Sequence, residues 1–237
     1  LGEEENMYYQ AVLWDVDGTL LDFEKSERYG ILSCMKEFGI EGCDDAMLRR
    51  YAEINRICWE ALERGEMTKQ EVLVGRFRRF FAQEGIGCSN IEAFNELYQR
   101  KLGELFFENE NSVALCRKLY GKLRQCVITN GTVEAQKEKL KGSGLGQYMD
   151  GIFISDEIGI EKPGIGFFRP ALELLRGVDP ERILVVGDSL TSDMKGGNNI
   201  KARCCWYNPQ KKKNTVGIRV DYEISRLWDV ERILENG

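Results

Sequence analysis

The sequence predicts an α/β fold: a parallel sheet covered by helices on both faces, interrupted early by an all-helical insertion. Three observations predict it. From about residue 112 onward, short apolar runs alternate with segments of helical periodicity, the pattern of βαβ crossovers. One further apolar run, Gln10-Ala11-Val12-Leu13-Trp14, stands alone near the N-terminus. Between them, apolar residues recur at helical spacing throughout. A chain of 237 residues accommodates one such core plus an insertion of about 80 residues. The division is then 1–20 and 104–237 for the core and 21–103 for the insertion.

The first run reads as a buried strand that ends at the polar turn Asp15-Val16-Asp17-Gly18-Thr19. In the insertion, Ile31, Leu32, Met35 and Phe38 mark one helix, with Gly39 as its stop. Tyr51, Ile54, Cys58 and Leu62 mark a second, stopped by Gly65. Thr68-Lys69-Gln70-Glu71 reads as a capping box for a third, through Val72, Phe77 and Phe81. Ser89-Asn90-Ile91-Glu92 reads as another, opening a fourth through Phe94, Leu97 and Tyr98. The alternating region then predicts helices over 113–120, 133–141, 167–175 and 193–198. Strands are predicted over 125–129, 151–154, 182–186 and 202–207.

Composition narrows the chemistry. With 43% hydrophobic and 30% charged residues the chain is expected to be globular rather than disordered. The 33 basic residues against 39 acidic ones disfavour a nucleic-acid polymer as partner. Histidine is absent, which excludes Ser-His-Asp and Cys-His catalysis and any histidine metal ligand. Acid–base work must fall to carboxylates, Lys, Cys or Tyr. The eight cysteines form no Cys-x-x-Cys pair, so reduced thiols in a cytoplasmic protein are expected. No apolar run approaches the ~18 residues of a membrane span. Residues 1–6 are acidic, unlike a signal peptide, and receive no role. The run Lys211-Lys212-Lys213 is read as a solvated loop.

Open α/β sheets bind ligands at the carboxyl ends of their strands, and four polar clusters fall there. They are Asp15 with Asp17, Thr129-Asn130-Gly131, Lys162-Pro163, and Gly187-Asp188-Ser189 with Asp193. Each alone is a common turn or cap; together they suit phosphoryl transfer. One carboxylate of the first pair can attack phosphorus, while the other protonates the leaving oxygen and later deprotonates water. Carboxylates facing a phosphate dianion repel, and a divalent cation such as Mg²⁺, with Asp188 as a further ligand, resolves this. Lys162 would neutralise the transferred group, and Thr129 and Asn130 with nearby N–H groups would hold its oxygens. Asp193 would pair with Lys162 or brace the metal shell. Gly18 would permit a tight turn close to the phosphate.

With these motifs the chain resembles the haloacid dehalogenase (HAD) superfamily phosphatases that carry a helical cap. Asp15-Val16-Asp17-Gly18-Thr19 matches the first motif, Thr129 the second, Lys162 the third, and Gly187-Asp188 through Asp193 the fourth. The resemblance implies a Rossmann-like core, Asp15 as nucleophile and Asp17 as acid/base. It also implies Mg²⁺ held by Asp15, the backbone carbonyl of Asp17, and Asp188. Three segments are similar to the bacterial pyrimidine 5′-nucleotidases. They are Asn55-Arg56-Ile57-Cys58-Trp59 through Gly75-Arg76-Phe77, Gly187 through Gly197, and Cys205-Trp206-Tyr207-Asn208-Pro209. That resemblance implies a nucleoside monophosphate as the small-molecule substrate. Asn55 and Arg76 would hydrogen-bond its base or sugar, and Trp59 and Phe77 would stack or pack against it. The competing readings are a phosphatase or mutase for a small sugar phosphate or phosphoglycolate, and a noncatalytic regulator that binds a phosphate ligand. The sequence carries no reading of oligomeric state.

Overall fold

The structure is a computed structural model that describes residues 7–237; residues 1–6 lie outside the described residues. Its centre is a six-stranded parallel sheet. The strands are β1 (Ala11–Trp14), β2 (Arg124–Thr129), β3 (Gly151–Ile154), β4 (Ile183–Gly187), β5 (Arg203–Tyr207) and β6 (Tyr222–Ile224), in the order β3-β2-β1-β4-β5-β6. The helices are α1 (Phe23–Glu37), α2 (Asp45–Glu63), α3 (Lys69–Glu84), α4 (Ile91–Glu104), α5 (Ser112–Leu119), α6 (Val133–Gly142), the single turn α7 (Ser155–Ile158), α8 (Ile165–Leu174), α9 (Lys195–Asn199) and α10 (Val230–Asn236).

The strands alternate faces residue by residue, which supplies two cores. Val12, Trp14, Val127, Leu184 and Val186 pack on one side; Leu13, Cys126, Ile128, Ile183 and Val185 pack on the other. Because both faces are covered, the central strands read as continuous apolar runs, and that is why they were visible in the sequence. The register pairs Trp14 with both Val127 and Val186. The residues that leave β1, β2 and β4 therefore emerge at one edge.

Helices α1 to α4 share a separate apolar cluster built on Ile31, Met35, Tyr51, Phe77, Phe80, Phe94 and Tyr98, to which Ala135 of α6 also belongs. The predicted capping box at Thr68 and Glu71 is formed. The one predicted at Ser89 is not. Asn90 caps α4 instead, its Oδ1 accepting from the Ala93 N–H at 2.9 Å, because the helix begins one residue later and its third position is Ala93. The helix predicted over 193–198 is split. A π-type turn, with the Met194 N–H on the Ser189 carbonyl at 3.1 Å, precedes α9. Strand β6 and helix α10 were not predicted; three residues of strand carry too little periodicity to be read.

The eight cysteines are free thiols, and burial pushes those of Cys116 and Cys126 up to about 12. Among the described residues no helix is long and apolar enough to cross a membrane. Lys211, Lys212 and Lys213 are exposed between β5 and β6, where Asn208 anchors the loop through the main chain of Lys212.

Candidate active site

Asp15 leaves β1 with its N–H on the Val186 carbonyl at 2.9 Å, so the neighbouring strand β4 fixes its backbone. Its buried carboxylate accepts from Thr19 Oγ1 at 3.0 Å and from Lys162 Nζ at 2.8 Å. The Lys162 ammonium also donates to Asp193 Oδ1 at 2.7 Å and to the Ile128 carbonyl at 2.9 Å. Oxygens of Asp15, Asp188 and Asp193 lie within 4.8 Å of one another. Asp15 and Asp193 thus share one buried ammonium, and Asp188 adds a third carboxylate beside them without a bond to it.

The electrostatics follow from that imbalance. Burial, then the Asp193 charge, push Asp15 up to about 7 against the pull of Lys162. Desolvation and the charges of Asp15 and Asp193 also hold Asp188 well above the carboxylate range, although that residue keeps a surface open to solvent. Burial opposes the charge on Lys162, but Asp15 and Asp193 outweigh it and hold the ammonium above its ordinary range.

Two glycines make the crowding possible. A methyl on Gly187 would stand 2.2 Å from Asp193 Oδ2, and one on Gly18, at φ +91°, 2.6 Å from Asp188 Oδ2. Gly18 thus makes room for a carboxylate as well as a turn. Asp193 also accepts from the Ser189 N–H at 3.1 Å, and the Asp188 carbonyl accepts from Trp206 Nε1 at 2.8 Å. Thr129 is buried at the end of β2, its hydroxyl accepting from the Gly131 N–H. Asn130 turns its amide onto the main chain of Lys162, donating to the carbonyl at 3.0 Å and accepting from the N–H at 2.8 Å. It holds the lysine's backbone rather than presenting its amide to a ligand.

Asp17 stands outside the carboxylate cluster. It lines a small cavity with Phe23, Trp59, Arg76, Gln99 and Leu102 of the helical layer and with Gly131, Gln136 and Lys139 of the core. Trp59 and Arg76 therefore share a cavity wall with Asp17. Asn55 does not line that cavity. Its side chain bridges Glu27 (2.7 Å) and Arg76 (2.9 Å), and it is the middle of a buried polar chain because a buried guanidinium must find acceptors. Phe77 stacks on Tyr51 in the core of the layer, with centroids 5.4 Å apart. Reasoning from sequence missed Gln136, Lys139 and Gln99 in the cavity wall. The available signal for Gln136 and Lys139 was their spacing of three, which puts them on one face of α6; Gln99 of α4 carried none.

A family model of haloacid dehalogenase-like hydrolases matches residues 9–201. The HAD-hydrolase YfnB of Bacillus subtilis (strain 168) is 33% identical, covering 95% of this chain and 95% of its own. The pyrimidine 5′-nucleotidase PynA of Streptococcus pneumoniae is 31% identical (94% of each chain), and the pyrimidine 5′-nucleotidase YjjG of Escherichia coli 28% identical (96% of this chain, 99% of its own). A magnesium-bound structure of YfnB, one that reveals interdomain movement in that protein, matches with a TM-score of 0.89 at 31% identity. It covers 95% of this chain and 98% of that one. With the motif residues meeting at one sheet edge and the family pattern running across the sheet that carries them, the chain belongs to the haloacid dehalogenase-like hydrolases.

Proposed function

We propose that this hydrolase cleaves phosphate monoesters through an aspartyl-phosphate on Asp15, and that its substrates are nucleoside 5′-monophosphates with a preference for pyrimidines. The observation that carries the reaction is the cluster of Asp15, Asp188 and Asp193, two of them bonded to Lys162, with Asp17 two residues from Asp15 at the adjoining cavity. The substrate class is supported by the two relatives named as pyrimidine 5′-nucleotidases. The free thiols support a cytoplasmic setting.

In the first half-reaction an Asp15 oxygen attacks phosphorus, the bond from phosphorus to the leaving oxygen breaks, and Asp17 gives that oxygen a proton. In the second, Asp17 takes a proton from water as it attacks phosphorus, and the bond to Asp15 breaks. Lys162 and Thr129 neutralise and hold the phosphoryl oxygens, and Asn130 keeps Lys162 in place. The donor set, all oxygen and with more carboxylates than cations, fits a hard divalent metal. Asp15, the Asp17 carbonyl and Asp188 would hold Mg²⁺, which when bound supplies the charge that lets phosphate and carboxylates share the site. Residues 21–103 act as a cap over the core of 1–20 and 104–237.

The test is phosphate release from a panel of pyrimidine and purine monophosphates, sugar phosphates and phosphoglycolate, with Mg²⁺ and with a chelator. Metal-dependent release concentrated on pyrimidine monophosphates is expected, and Asp15→Asn should fall further than the roughly 10²–10⁴ of an acid/base loss. Release concentrated on sugar phosphates would keep the reaction and discard the substrate class. Full activity in Asp15→Asn would overturn the mechanism.

A further inference from the structure

The carboxylate of Asp17 is gripped from one side by α6. Gln136 Nε2 donates to Oδ2 and Lys139 Nζ to Oδ1, each at 2.6 Å. Both donors are buried to 1% exposure, and at three residues apart they stand on one face of the helix. Their own positions are also built. The Lys139 ammonium lies 5.4 Å from the centre of the Phe23 ring. Gln136 lies where only a glycine leaves room, since a methyl on Gly131 would stand 2.2 Å from Gln136 Nε2. Thr132, which caps α6, donates to Gln99 of α4 at 2.9 Å, so the helix that grips Asp17 is tied to the helical layer above it.

We propose that Gln136 and Lys139 are positioning residues for the acid/base: they hold the Asp17 carboxylate at the wall of the leaving-group cavity and set the direction in which it exchanges its proton. This rests on the assignment of Asp17 made above. One donor per oxygen fixes the rotation of the carboxylate. A carboxylate oxygen has two acceptor sites, so each keeps one for the proton it trades with the leaving oxygen. Without the grip the side chain is free to turn toward solvent, and a misplacement of about 1 Å costs on the order of a hundredfold in rate.

The distinguishing readout is the dependence on leaving group. A nitrophenolate departs without a proton, whereas the 5′-alkoxide of a nucleotide does not. Lys139→Met and Gln136→Met should each lower kcat/KM on a pyrimidine monophosphate by about a hundredfold, and on p-nitrophenyl phosphate by no more than about threefold. Gln136→Met removes no charge, so it keeps the test available if loss of Lys139 unfolds the protein. Gly131→Ala should reproduce its effect by displacing the amide. Equal losses on both esters, or no loss on either, in folded Gln136→Met would overturn the proposal. Asp17→Asn separates the two levels. If it discriminates between the esters and the α6 variants do not, the positioning role alone fails. If it does not discriminate, the assignment of Asp17 fails first.

Discussion

Asp188 illustrates how function and stability oppose each other at single residues. Gly18 and Gly187 omit a side chain so that carboxylates can press together, and in the metal-free protein that crowding is unfavourable. Asp188→Asn should therefore raise the thermal midpoint of the chelator-treated protein at pH 8. It should also abolish the Mg²⁺-induced rise expected of a ligand that binds only the folded state. Calorimetry with and without metal checks both; an unchanged metal-induced shift would remove Asp188 from the ligand set. Asp15, Thr129, Lys162 and Asp188 were legible in the sequence because each directly follows or lies near a readable strand end. Gln136 and Lys139 were not, because a Gln and a Lys on a polar helix look like any solvated face until packing shows what stands opposite. Asn55, which the resemblance offers as a contact to base or sugar, is bonded to Glu27 and Arg76 in this structure, partners on other helices that the sequence does not place beside it.

At the scale of elements, the helical layer is held together by more than its aromatic core. A polar chain crosses it from Glu27 on α1 through Asn55 on α2 and Arg76 on α3 to Asn95 and Gln99 on α4, and reaches Thr132 of the core. Its first member is the weak point. Burial pushes Glu27 up from 4.5 to about 7, against the Asn55 hydrogen bond and the Arg76 charge. The folded chain thus keeps this proton over an interval in which the unfolded chain has released it. Folding binds a proton there, so stability falls as pH rises from about 4.5 through about 7. Asp15 and Glu63, also raised to about 7, act in the same direction. Glu27→Gln keeps an acceptor for Asn55 and removes the ionisation, so urea unfolding at pH 8 should show a gain of up to roughly 3 kcal/mol and a shallower pH slope. A loss at pH 8 would mean that the charge pairing with Arg76 outweighs desolvation. The four helices themselves were legible from periodicity, since each buries an apolar stripe. Their polar chain was not, because it joins residues on different helices whose register the sequence does not state.

For the molecule as a whole, the cavity between helices and core encloses only about 30 Å³, whereas pockets that bind small molecules span roughly 300–1,000 Å³. A molecule the size of a nucleotide can enter only if the helical layer lifts. Besides the packing of α4 on α6 and the Thr132–Gln99 bond, two polar contacts beside the site must break. Glu63, at the end of α2, accepts from Thr191 and, at 3.4 Å, from Ser189 Oγ, next to Asp188. Lys69, at the start of α3, donates to the Gly131 carbonyl and to Ser155 Oγ at 3.0 Å each and lies 3.3 Å from Asp156. Both latches end on loops that carry motif residues, so if the proposed cap opens, it should close and assemble the site in one event. At roughly 1 kcal/mol each for partly exposed contacts, removing one shifts the closed-to-open ratio about fivefold. Glu63→Ala and Lys69→Ala should each raise KM for the nucleotide severalfold, and the double variant more than either. Spin labels on α3 and α8 should report longer distances in the same order. The latch argument fails if the labels show the closed distance unchanged in the double variant. Burial raises Glu63 to about 7, and opening returns its carboxyl to water, so the closed form holds the proton more tightly. Closure should weaken as pH rises through that value, and Glu63→Gln should make the label distances independent of pH between 5 and 8.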